Sequence, residues 1–431
     1  MAPLAPSALY NAAVASRSHV IRNASIPAYF AVRVLCAILL LKLSTLFLDV
    51  QEFANFTQFL AFSSLLNMAV VGGAQNGLIR EAAASSDAEL ANVHGAGLAA
   101  WAIAVPAIGI PGLVFSPQIS QVLTGSDSFS KEIVGLVLLS LAAGPGQICW
   151  SVLSGRKMIA QSLGAQSVGL VVGTASAAWF IIRGSYSAAA LALSTGPLVG
   201  AVVALPFAGR LPLKWRPTHV GLAHLFAYSA AIVSTLGFTA LTLFALRFLY
   251  REQFGATELG YWLAANRISD ISTQFVGLFM LQAFVPQLAA ASNEQEQKRL
   301  ILRYGSLASA LMGGALLVFL LASGPLVHLF LSSAYIPAIP GIRLYMTGDF
   351  LRVWASLAMF TAFASGRPLR YAAIEIAAMA LMAVLTLALI AAGEVHAPQI
   401  AYVAAYGLTA LILGAAVLVR SLRSRRVSLI S

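Results

Sequence analysis

Eight charged residues lie inside the long apolar stretches of this sequence. Five are basic and three are acidic: Arg33, Lys42, Arg267, Arg343 and Arg352, against Asp270, Asp349 and Glu375. Because a charged side chain at the centre of a lipid bilayer costs about 2.5 to 3.5 kcal/mol, these residues are expected to face water or one another rather than lipid. Their positive excess predicts a water-filled cavity that receives an anion.

Two of the acids stand three residues from an arginine, a spacing that places both side chains on one face of a helix. Arg267 and Asp270 form the first pair, and Asp349 and Arg352 form the second. Either each pair neutralises itself and supports the bundle, or one member binds a substrate or coupling ion while the other tunes it. We favour the second interpretation, because apolar residues could replace a purely structural pair at little cost. Arg343 lies near the predicted end of its span and can be interfacial.

The remaining charged positions differ in depth. Arg33 and Lys42 are nine residues apart and lie on opposite faces of an ideal helix, so both line one cavity only if the helix bends. Lys42 is deeper in its span and is the better cavity candidate, whereas Arg33 can reach lipid phosphate. Glu375 can pair with Arg367 or Arg370, or carry a proton as an isolated carboxylate.

The composition excludes an ordinary soluble domain. Of the 431 residues, 59% are hydrophobic and 10% are charged, and the mean hydropathy is +0.85. Apolar stretches recur along the chain, each near the ~20 residues that cross a bilayer as a helix. The sequence therefore predicts an all-α polytopic membrane protein with about 12 transmembrane helices. The predicted spans are residues 28–49, 55–78, 93–115, 133–153, 161–182, 186–207, 223–248, 259–284, 301–322, 342–363, 371–392 and 398–420.

Basic residues divide unequally between the two sides of these spans. Apart from the five bases inside the spans, 17 Lys and Arg lie on one side and four, Arg247 among them, on the other. The positive-inside rule then places both termini in the cytoplasm. The net charge of +11 is mostly this topological signal, so no nucleic acid is expected as a partner. The polar connection from Arg210 to His219 divides the chain into an N-lobe, residues 1–216, and a C-lobe, residues 217–431, with six spans each.

Glycine and proline mark positions where spans pack closely or break. Gly72 and Gly73 in the second span, and the series Gly164, Gly169 and Gly173 in the fifth, are expected to let helices approach one another. Proline residues interrupt spans 3, 4 and 6 and are expected to kink them, which suits a curved cavity wall or a hinge.

Common catalytic patterns are absent from the sequence. It has no metalloprotease motif, no glycine-rich phosphate loop and no nucleophile elbow. Its two cysteines, Cys36 and Cys149, predict neither a disulfide framework nor a metal site. We therefore expect no enzyme and no cofactor. A transporter without an ATP site draws on an ion gradient, the membrane potential or the gradient of its substrate.

Several short motifs stand in order in the second half of the chain. They are Glu258-Leu-Gly-Tyr-Trp, Ile268-Ser269-Asp270, Gln274-Phe275 and Pro286-Gln-Leu in and after the eighth span, and Gly348-Asp349-Phe350-Leu351-Arg352-Val353 in the tenth. These motifs resemble the corresponding spans of bacterial polysaccharide-lipid flippases of the O-antigen and lipid III type. Arg33 and Lys42 match two bases at the same spacing in the first span of that family. The resemblance covers residues 250 to 425 and, more loosely, the first half.

The resemblance implies membership of the multidrug, oligosaccharidyl-lipid and polysaccharide exporter (MOP) superfamily. It implies two six-helix lobes that form a V around a central cationic cavity and work by alternating access. It also implies a flippase that moves an undecaprenyl-pyrophosphate-linked oligosaccharide from the cytoplasmic to the periplasmic leaflet of the bacterial inner membrane. Membrane lipids, a polymerase and other polysaccharide-assembly proteins would be its partners. By the same resemblance, Lys42, Arg267, Arg352 and Arg33 would bind pyrophosphate or acidic sugars, and Asp270, Asp349 and Glu375 would pair with these bases or bind a coupling cation.

Two alternatives stay open. An ion-coupled antiporter of a small solute or drug would share the superfamily's fold, although a cation exporter is expected to place acids in excess in its cavity. A membrane-bound polymerase or ligase would usually carry one long periplasmic loop, and the predicted outer loops of this sequence are short.

Overall fold

The computed structural model describes residues 6–71, 75–208, 219–291, 293–365 and 368–428. The chain divides into unit 1, which comprises Met1–Phe47 and Asn55–Val233, and unit 2, which comprises Leu48–Ala54 and Ser234–Ser431. The predicted lobe boundary after residue 216 and the connection around it lie outside the described residues. The arrangement of two lobes around a central cavity stays a prediction.

All regular structure within these ranges is helical. The helices of the first half are α1 (Pro6–Phe47), α2 (Val50–Val70), α3 (Gln75–Ala84), α4 (Asp87–Val114), α5 (Ser116–Thr124), α6 (Ser130–Gly155), α7 (Ile159–Ile182), α8 (Tyr186–Ser194) and α9 (Gly196–Ala208). Those that follow are α10 (His219–Phe279), α11 (Val285–Ala290), α12 (Glu294–Phe330), α13 (Ile339–Ala364), α14 (Pro368–Ala391) and α15 (Ala397–Ser428). Short 3-10 turns form at Asp127–Phe129 and Ser333–Ala338, and one π-helical turn at Met280–Phe284.

The described residues of the twelve predicted spans lie almost entirely on these helices, and those of the second span divide between α2 and α3. The seventh and eighth share α10, which is interrupted at Gly255, where φ is 87° and ψ is 172°. Seven described segments are both long and apolar enough to cross a membrane: Ser25–Phe47, Glu89–Val114, Asp127–Gly155, Ile159–Ile182, Tyr186–Phe207, Glu294–Phe330 and Leu369–Ala391. The predicted spans in α10 and α13, which carry five of the eight charged residues, are not among these seven segments. The prediction of an all-α, multi-pass membrane protein is confirmed.

Small residues bring α7 and α9 together in unit 1. A Cβ at Gly169 would overlap the carbonyl oxygen of Gly196, and a Cβ at Gly173 would lie 2.9 Å from the carbonyl oxygen of Leu193. These two glycines therefore permit close backbone contact, as predicted. The same prediction is wrong for Gly164, which has open space around its Cβ position. Gly72 and Gly73 lie outside the described residues.

The sixth span breaks where proline was expected to interrupt it. α8 ends at Ser194 and α9 begins at Gly196, immediately before Pro197. Because Pro197 has no N–H, it cannot donate the hydrogen bond that would continue the helix to the carbonyl of Leu193. The proline residues of the third and fourth spans, in contrast, are accommodated inside α4 and α6.

α13 occupies the middle of unit 2, where it packs against α12, α14 and α15. The second part of α10 also contacts it, because the indole N–H of Trp262 donates a 2.6 Å hydrogen bond to the Tyr345 hydroxyl. A polar residue on α13 is therefore surrounded by side chains from four other helices. This position explains why the charged residues of α13 find partners that are distant in the sequence.

Candidate functional site

α13 carries Asp349 into the interior of unit 2, where its side chain is almost fully buried. Two hydroxyls donate to one of its carboxylate oxygens: that of Tyr402 lies 2.7 Å and that of Ser269 2.9 Å from Oδ1. Gly348 permits the first contact, because a Cβ at this position would overlap the Tyr402 ring. The other oxygen, Oδ2, is buried without a hydrogen-bond partner in the described part of the chain. It is an acceptor that a proton or a cation could satisfy.

Arg352 lies one turn further along α13 and contacts two other helices. Its Nη2 lies 3.0 Å from Oε1 of Glu375 on α14, which forms an ion pair. Its Nη1 donates to the Tyr402 hydroxyl at 3.3 Å, and its guanidinium carbon lies 4.8 Å from the centre of the Tyr406 ring. Oε2 of Glu375 is buried and, among the described residues, lacks a hydrogen-bond partner. Glu375 therefore resembles Asp349 in offering one unused carboxylate oxygen.

Two pairings considered from the sequence are wrong. Asp349 and Arg352 share a face of α13, but a tyrosine hydroxyl lies between them and the arginine forms its ion pair with another acid. For Glu375 the sequence left two alternatives, a pair with Arg367 or Arg370 and an isolated carboxylate that carries a proton; in the structure it pairs with Arg352. Arg370 is exposed, and Arg367 lies outside the described residues, so a contact of Glu375 with Arg367 is untested. Long-range packing, rather than helical spacing, selects the partners here.

These side chains surround a cavity of about 240 Å³, whose described lining residues belong to unit 2. Its apolar walls come mainly from α10 and α13, with Met312 from α12 and the ring of Tyr371 from α14. The polar groups in its lining belong to Thr273, Gln274, Asp349, Arg352, Ser356, Tyr371 and Glu375. The two acids and one base leave the lining with a formal charge of −1, so the cavity is suited to a small cation rather than to an anion. We call these residues the carboxylate cavity.

A second charged cluster lies on α10. Arg247 donates from Nη2 to Oδ1 of Asn266 at 3.3 Å, and the Asn266 amide donates to Oδ1 of Asp270 at 3.1 Å. Arg267 forms the predicted ion pair with Asp270, with 3.8 Å between Nη1 and Oδ2. Both members of this pair are about one third exposed or more. The cluster contains two bases and one acid, so its formal charge is +1; we call it the arginine cluster.

Arg247 is a site residue that the sequence reasoning missed. It was counted with the loop bases because it stands at the end of the predicted span 223–248, but the structure buries it against Asn266. Its place inside the predicted span was the available signal. With Arg247 included, the two clusters balance three bases against three acids. The positive excess expected from the sequence therefore does not hold in these clusters of unit 2.

The other two predicted cationic residues belong to unit 1. Arg33 and Lys42 both lie on α1, where Arg33 is exposed and Lys42 is partly buried. The hydroxyl of Thr45 donates to the backbone carbonyl of Lys42 at 3.1 Å. That Lys42 and Arg33 share one cavity with Arg267 and Arg352 stays a prediction.

The interior of unit 1 holds an uncharged polar relay that the sequence reasoning also missed. Gln75 donates to Gln147 at 2.8 Å, and Gln147 donates to Asn67 at 3.0 Å. Asn67 donates to the backbone carbonyl of Ser63, whose hydroxyl lies 2.9 Å from that of Ser194. The relay ties α2, α3, α6 and α8 together. Single polar residues in apolar spans gave no signal of it, because their partners are distant in the sequence.

Arg343 has a structural role at a break in α12. This helix loses helical geometry at Ala322, where φ is −125° and ψ is 29°. Arg343 donates from Nε to the Ser323 hydroxyl at 2.9 Å and from Nη2 to the Leu320 carbonyl at 3.4 Å. Because the break leaves helix carbonyls without their usual donors, the guanidinium stabilises the kinked backbone.

No family model and no curated protein matches this sequence. Solved structures match it over nearly its whole length. An inward-facing multidrug resistance MATE family transporter of the MOP superfamily aligns with a TM-score of 0.74 at 13% identity, covering 91% of this chain and 95% of that one. The lipid II flippase MurJ, in an inward closed conformation, aligns with a TM-score of 0.72 at 12% identity, covering 92% and 87%. A MOP superfamily transporter from Pyrococcus furiosus, described as having a binding pocket of reversed polarity, gives 0.62 at 15% identity, covering 92% of both chains. The chain therefore has the fold of the MOP superfamily transporters.

Proposed function

We propose that this protein is a flippase of the bacterial inner membrane, with both termini in the cytoplasm. It moves an undecaprenyl-pyrophosphate-linked oligosaccharide from the cytoplasmic to the periplasmic leaflet by alternating access, without ATP hydrolysis. The observation that carries this proposal is the separation of charge within unit 2. An arginine cluster of charge +1 and a carboxylate cavity of charge −1 lie on neighbouring helices. One suits an anionic headgroup and the other a coupling cation.

The arginine cluster supports recognition of a phosphate. Arg267 is the accessible member: its side chain is partly exposed, and its only ion pair among the described residues is the long 3.8 Å contact with Asp270. A guanidinium fork matches two phosphate oxygens at once, which a lysine cannot do. Lys42 and Arg33 on α1 are the other bases to which this proposal assigns substrate binding. Arg352 is committed to Glu375 in this structure, so its binding of phosphate requires that this pair loosen.

The carboxylate cavity supports coupling to a cation. Asp349 and Glu375 each present a buried oxygen that lacks a partner within the described ranges. A sodium ion or a proton bound there would neutralise the cavity's charge of −1. An imposed cation gradient would then drive the conformational cycle.

The second candidate is an ion-coupled antiporter of a small solute or drug. The carboxylate cavity favours it as much as the flippase, since cation coupling serves either cargo. Several aligned structures are also named as multidrug transporters. The two candidates differ in the charge of the cargo. The arginine cluster supports the flippase, because a cationic drug would be repelled by Arg247 and Arg267.

The test is reconstitution of the full chain in liposomes with a fluorescent lipid-linked oligosaccharide. An impermeant quencher added outside measures how fast the headgroup crosses. We expect faster crossing than in empty liposomes when a cation gradient is imposed. Arg267→Ala and Lys42→Ala should abolish this acceleration, whereas Arg303→Ala, which removes an exposed arginine of α12, should retain it.

Parallel liposomes loaded with a cationic dye test the antiporter. If the gradient moves the dye and leaves the oligosaccharide lipid in place, the flippase proposal is wrong. Retention of full crossing rate by both Arg267→Ala and Lys42→Ala would remove the role of the cationic residues.

A further inference from the structure

One hydroxyl group joins the two charged side chains that the proposed function assigns to different ligands. The Tyr402 hydroxyl donates to Asp349 at 2.7 Å and accepts from Arg352 at 3.3 Å. We infer that Tyr402 is a positioning residue that makes Arg352 available to an anionic ligand when a cation occupies the carboxylate cavity. This inference rests on the proposed function and deepens it, because it specifies how cation and anion binding are linked.

The linkage follows from the chemistry of a phenol. Its single O–H can donate one hydrogen bond, and its oxygen can accept others. Donation to a carboxylate anion draws negative charge onto the phenol oxygen, which strengthens the hydrogen bond that it accepts from Arg352. A cation or proton on Asp349 makes the carboxylate a weaker acceptor, so the Tyr402 oxygen also holds Arg352 less strongly. The guanidinium is then held mainly by Glu375, and it turns from the phenol towards a phosphate when that ion pair loosens as well.

The packing of Tyr402 leaves the hydroxyl as its adjustable part. The ring stands edge-on to Tyr345, with 5.0 Å between centres, and to Tyr406, with 4.8 Å. Its other side touches Gly348 so closely that no Cβ would fit there. Reorientation of the O–H requires no movement of the ring. A change in charge at Asp349 therefore reaches Arg352 through the hydrogen bonds of the Tyr402 hydroxyl, without displacement of the Tyr402 ring.

Other charged and titratable groups lie near the hydrogen bonds that Tyr402 makes with Asp349 and Arg352, and they contribute to the electrostatic potential there. α12 contributes only apolar surface in the form of Met312. The groups near Asp349 and Arg352 are Asp270 on α10, Tyr345 on α13, Glu375 and Tyr371 on α14, and Tyr406 on α15. The direct attraction between Asp349 and Arg352 also remains when the hydroxyl is removed. Loss of the hydroxyl should therefore reduce the linkage sharply while leaving a small remainder.

The inference predicts that cation and anion bind together rather than in exchange in this conformation. Thermodynamic linkage requires that each ligand raise the affinity for the other by the same factor. In this mechanism a cation raises the affinity for the anion. If the two ligands bound independently, the cation would leave that affinity unchanged, and if they competed, it would lower it.

The test measures binding of inorganic pyrophosphate to the full chain in lipid nanodiscs by titration calorimetry. One series raises sodium against choline at constant pH, and a second lowers the pH without sodium, so that the two cation sources are distinguished. Tyr402→Phe keeps the ring and removes the hydroxyl. The matched control is Tyr335→Phe, since the buried Tyr335 hydroxyl has no hydrogen-bond partner in the described part of the chain. Tyr335 lies in the turn before α13, and its ring packs against Phe53 and Tyr261.

We expect saturating cation to tighten pyrophosphate binding by roughly 5- to 150-fold in the wild type and in Tyr335→Phe, the usual range of a coupling between two sites. In Tyr402→Phe the same cation should change the affinity by about threefold or less. A merely structural role of Tyr402 would instead weaken pyrophosphate binding equally at every cation concentration, or lower the melting temperature without changing the dependence on cation.

Each outcome has a defined meaning. Unchanged cation dependence in Tyr402→Phe overturns the role of the hydroxyl and leaves the proposed function intact. Wild-type pyrophosphate binding without any cation effect also overturns it. A wild-type protein that binds no pyrophosphate refutes the anionic cargo itself, and the inference fails with the proposed function.

Discussion

Removal of one partner of the ion pair between Arg352 and Glu375 should destabilise the fold far more than removal of both, and a double-mutant cycle can measure this coupling. Glu375→Gln and Arg352→Met each remove one charge with little change in volume, and the double variant removes both. The side chains are 29% and 11% exposed, so water screens them only in part. The experiment therefore measures the interaction free energy of a partly buried ion pair in unit 2.

The expected magnitude follows from the 3.0 Å separation. Two unit charges at this distance attract by about 5.5 kcal/mol at an effective dielectric constant of 20. Removing one partner of a buried pair typically costs about 3 to 5 kcal/mol, because the other charge stays buried alone. We expect the lower value, about 3 kcal/mol, for Glu375→Gln, since Arg352 keeps its contacts with Tyr402 and Tyr406. Arg352→Met should cost at least as much, because it also removes those contacts and leaves Glu375 buried without its partner. The double variant should be within about 1 kcal/mol of the wild type, because no unpaired charge remains.

Thermal denaturation of the purified full chain, followed by tryptophan fluorescence at one scan rate, measures these differences. At ~2 °C per kcal/mol, Glu375→Gln should melt ~6 °C below the wild type, Arg352→Met at least as far below it, and the double variant ~2 °C below it. The matched control is the pair Lys298 and Glu294 on α12, whose separation is 2.8 Å but whose side chains are 61% and 79% exposed. Its removal should shift the melting temperature very little, because solvent screens it. Strictly additive losses in the cycle, or equal shifts for the buried and exposed pairs, would refute the reasoning.

Two glycine substitutions test the packing that positions the site. Gly348→Ala should lower stability by about 1 to 3 kcal/mol, because its Cβ would overlap the ring of Tyr402, which also packs against Tyr345 and Tyr406. Gly314→Ala, with nothing within 4 Å of its Cβ position, should leave the melting temperature unchanged or raise it. Gly169→Ala should likewise destabilise unit 1 by forcing α7 from the backbone of α9, whereas Gly164→Ala faces open space and should be tolerated. Equal melting temperatures within either glycine pair would show that the helices adjust to the added methyl group.

The fold class was predictable because its signal is local. Stretches of ~20 apolar residues specify membrane helices whatever their neighbours are, and the interruption of the sixth span at Pro197 follows from the missing N–H of one residue. The ion pair of Arg267 with Asp270 belongs to the same category, since a spacing of three residues on one helix brings the two side chains together.

The partners of Asp349 and Arg352 were not predictable from spacing. Asp349 takes its hydrogen bonds from Ser269 and Tyr402, which are 80 and 53 residues away in the sequence. Arg352 takes its ion pair from Glu375, 23 residues away on the next helix. Serine and tyrosine are common in membrane helices, so their presence in the sequence does not predict that they belong to a charged site. Tertiary packing around α13 decides which polar groups meet, and one sequence does not reveal that packing.

The charge balance of the two clusters constrains how the proposed cargo is held. One monovalent cation would neutralise the carboxylate cavity, whose formal charge is −1, and one negative charge would neutralise the arginine cluster, whose formal charge is +1. A pyrophosphate that bridges a lipid and a sugar carries two negative charges, so the arginine cluster alone compensates only half of its charge. The second charge requires another base. Release of Arg352 on cation binding would supply one from unit 2, but the carboxylate cavity without Arg352 has a formal charge of −2, so one monovalent cation would no longer neutralise it. When cations or protons neutralise both Asp349 and Glu375, Arg352 can complete the positive charge that the pyrophosphate needs, which makes tight binding of the cargo conditional on the coupling ion.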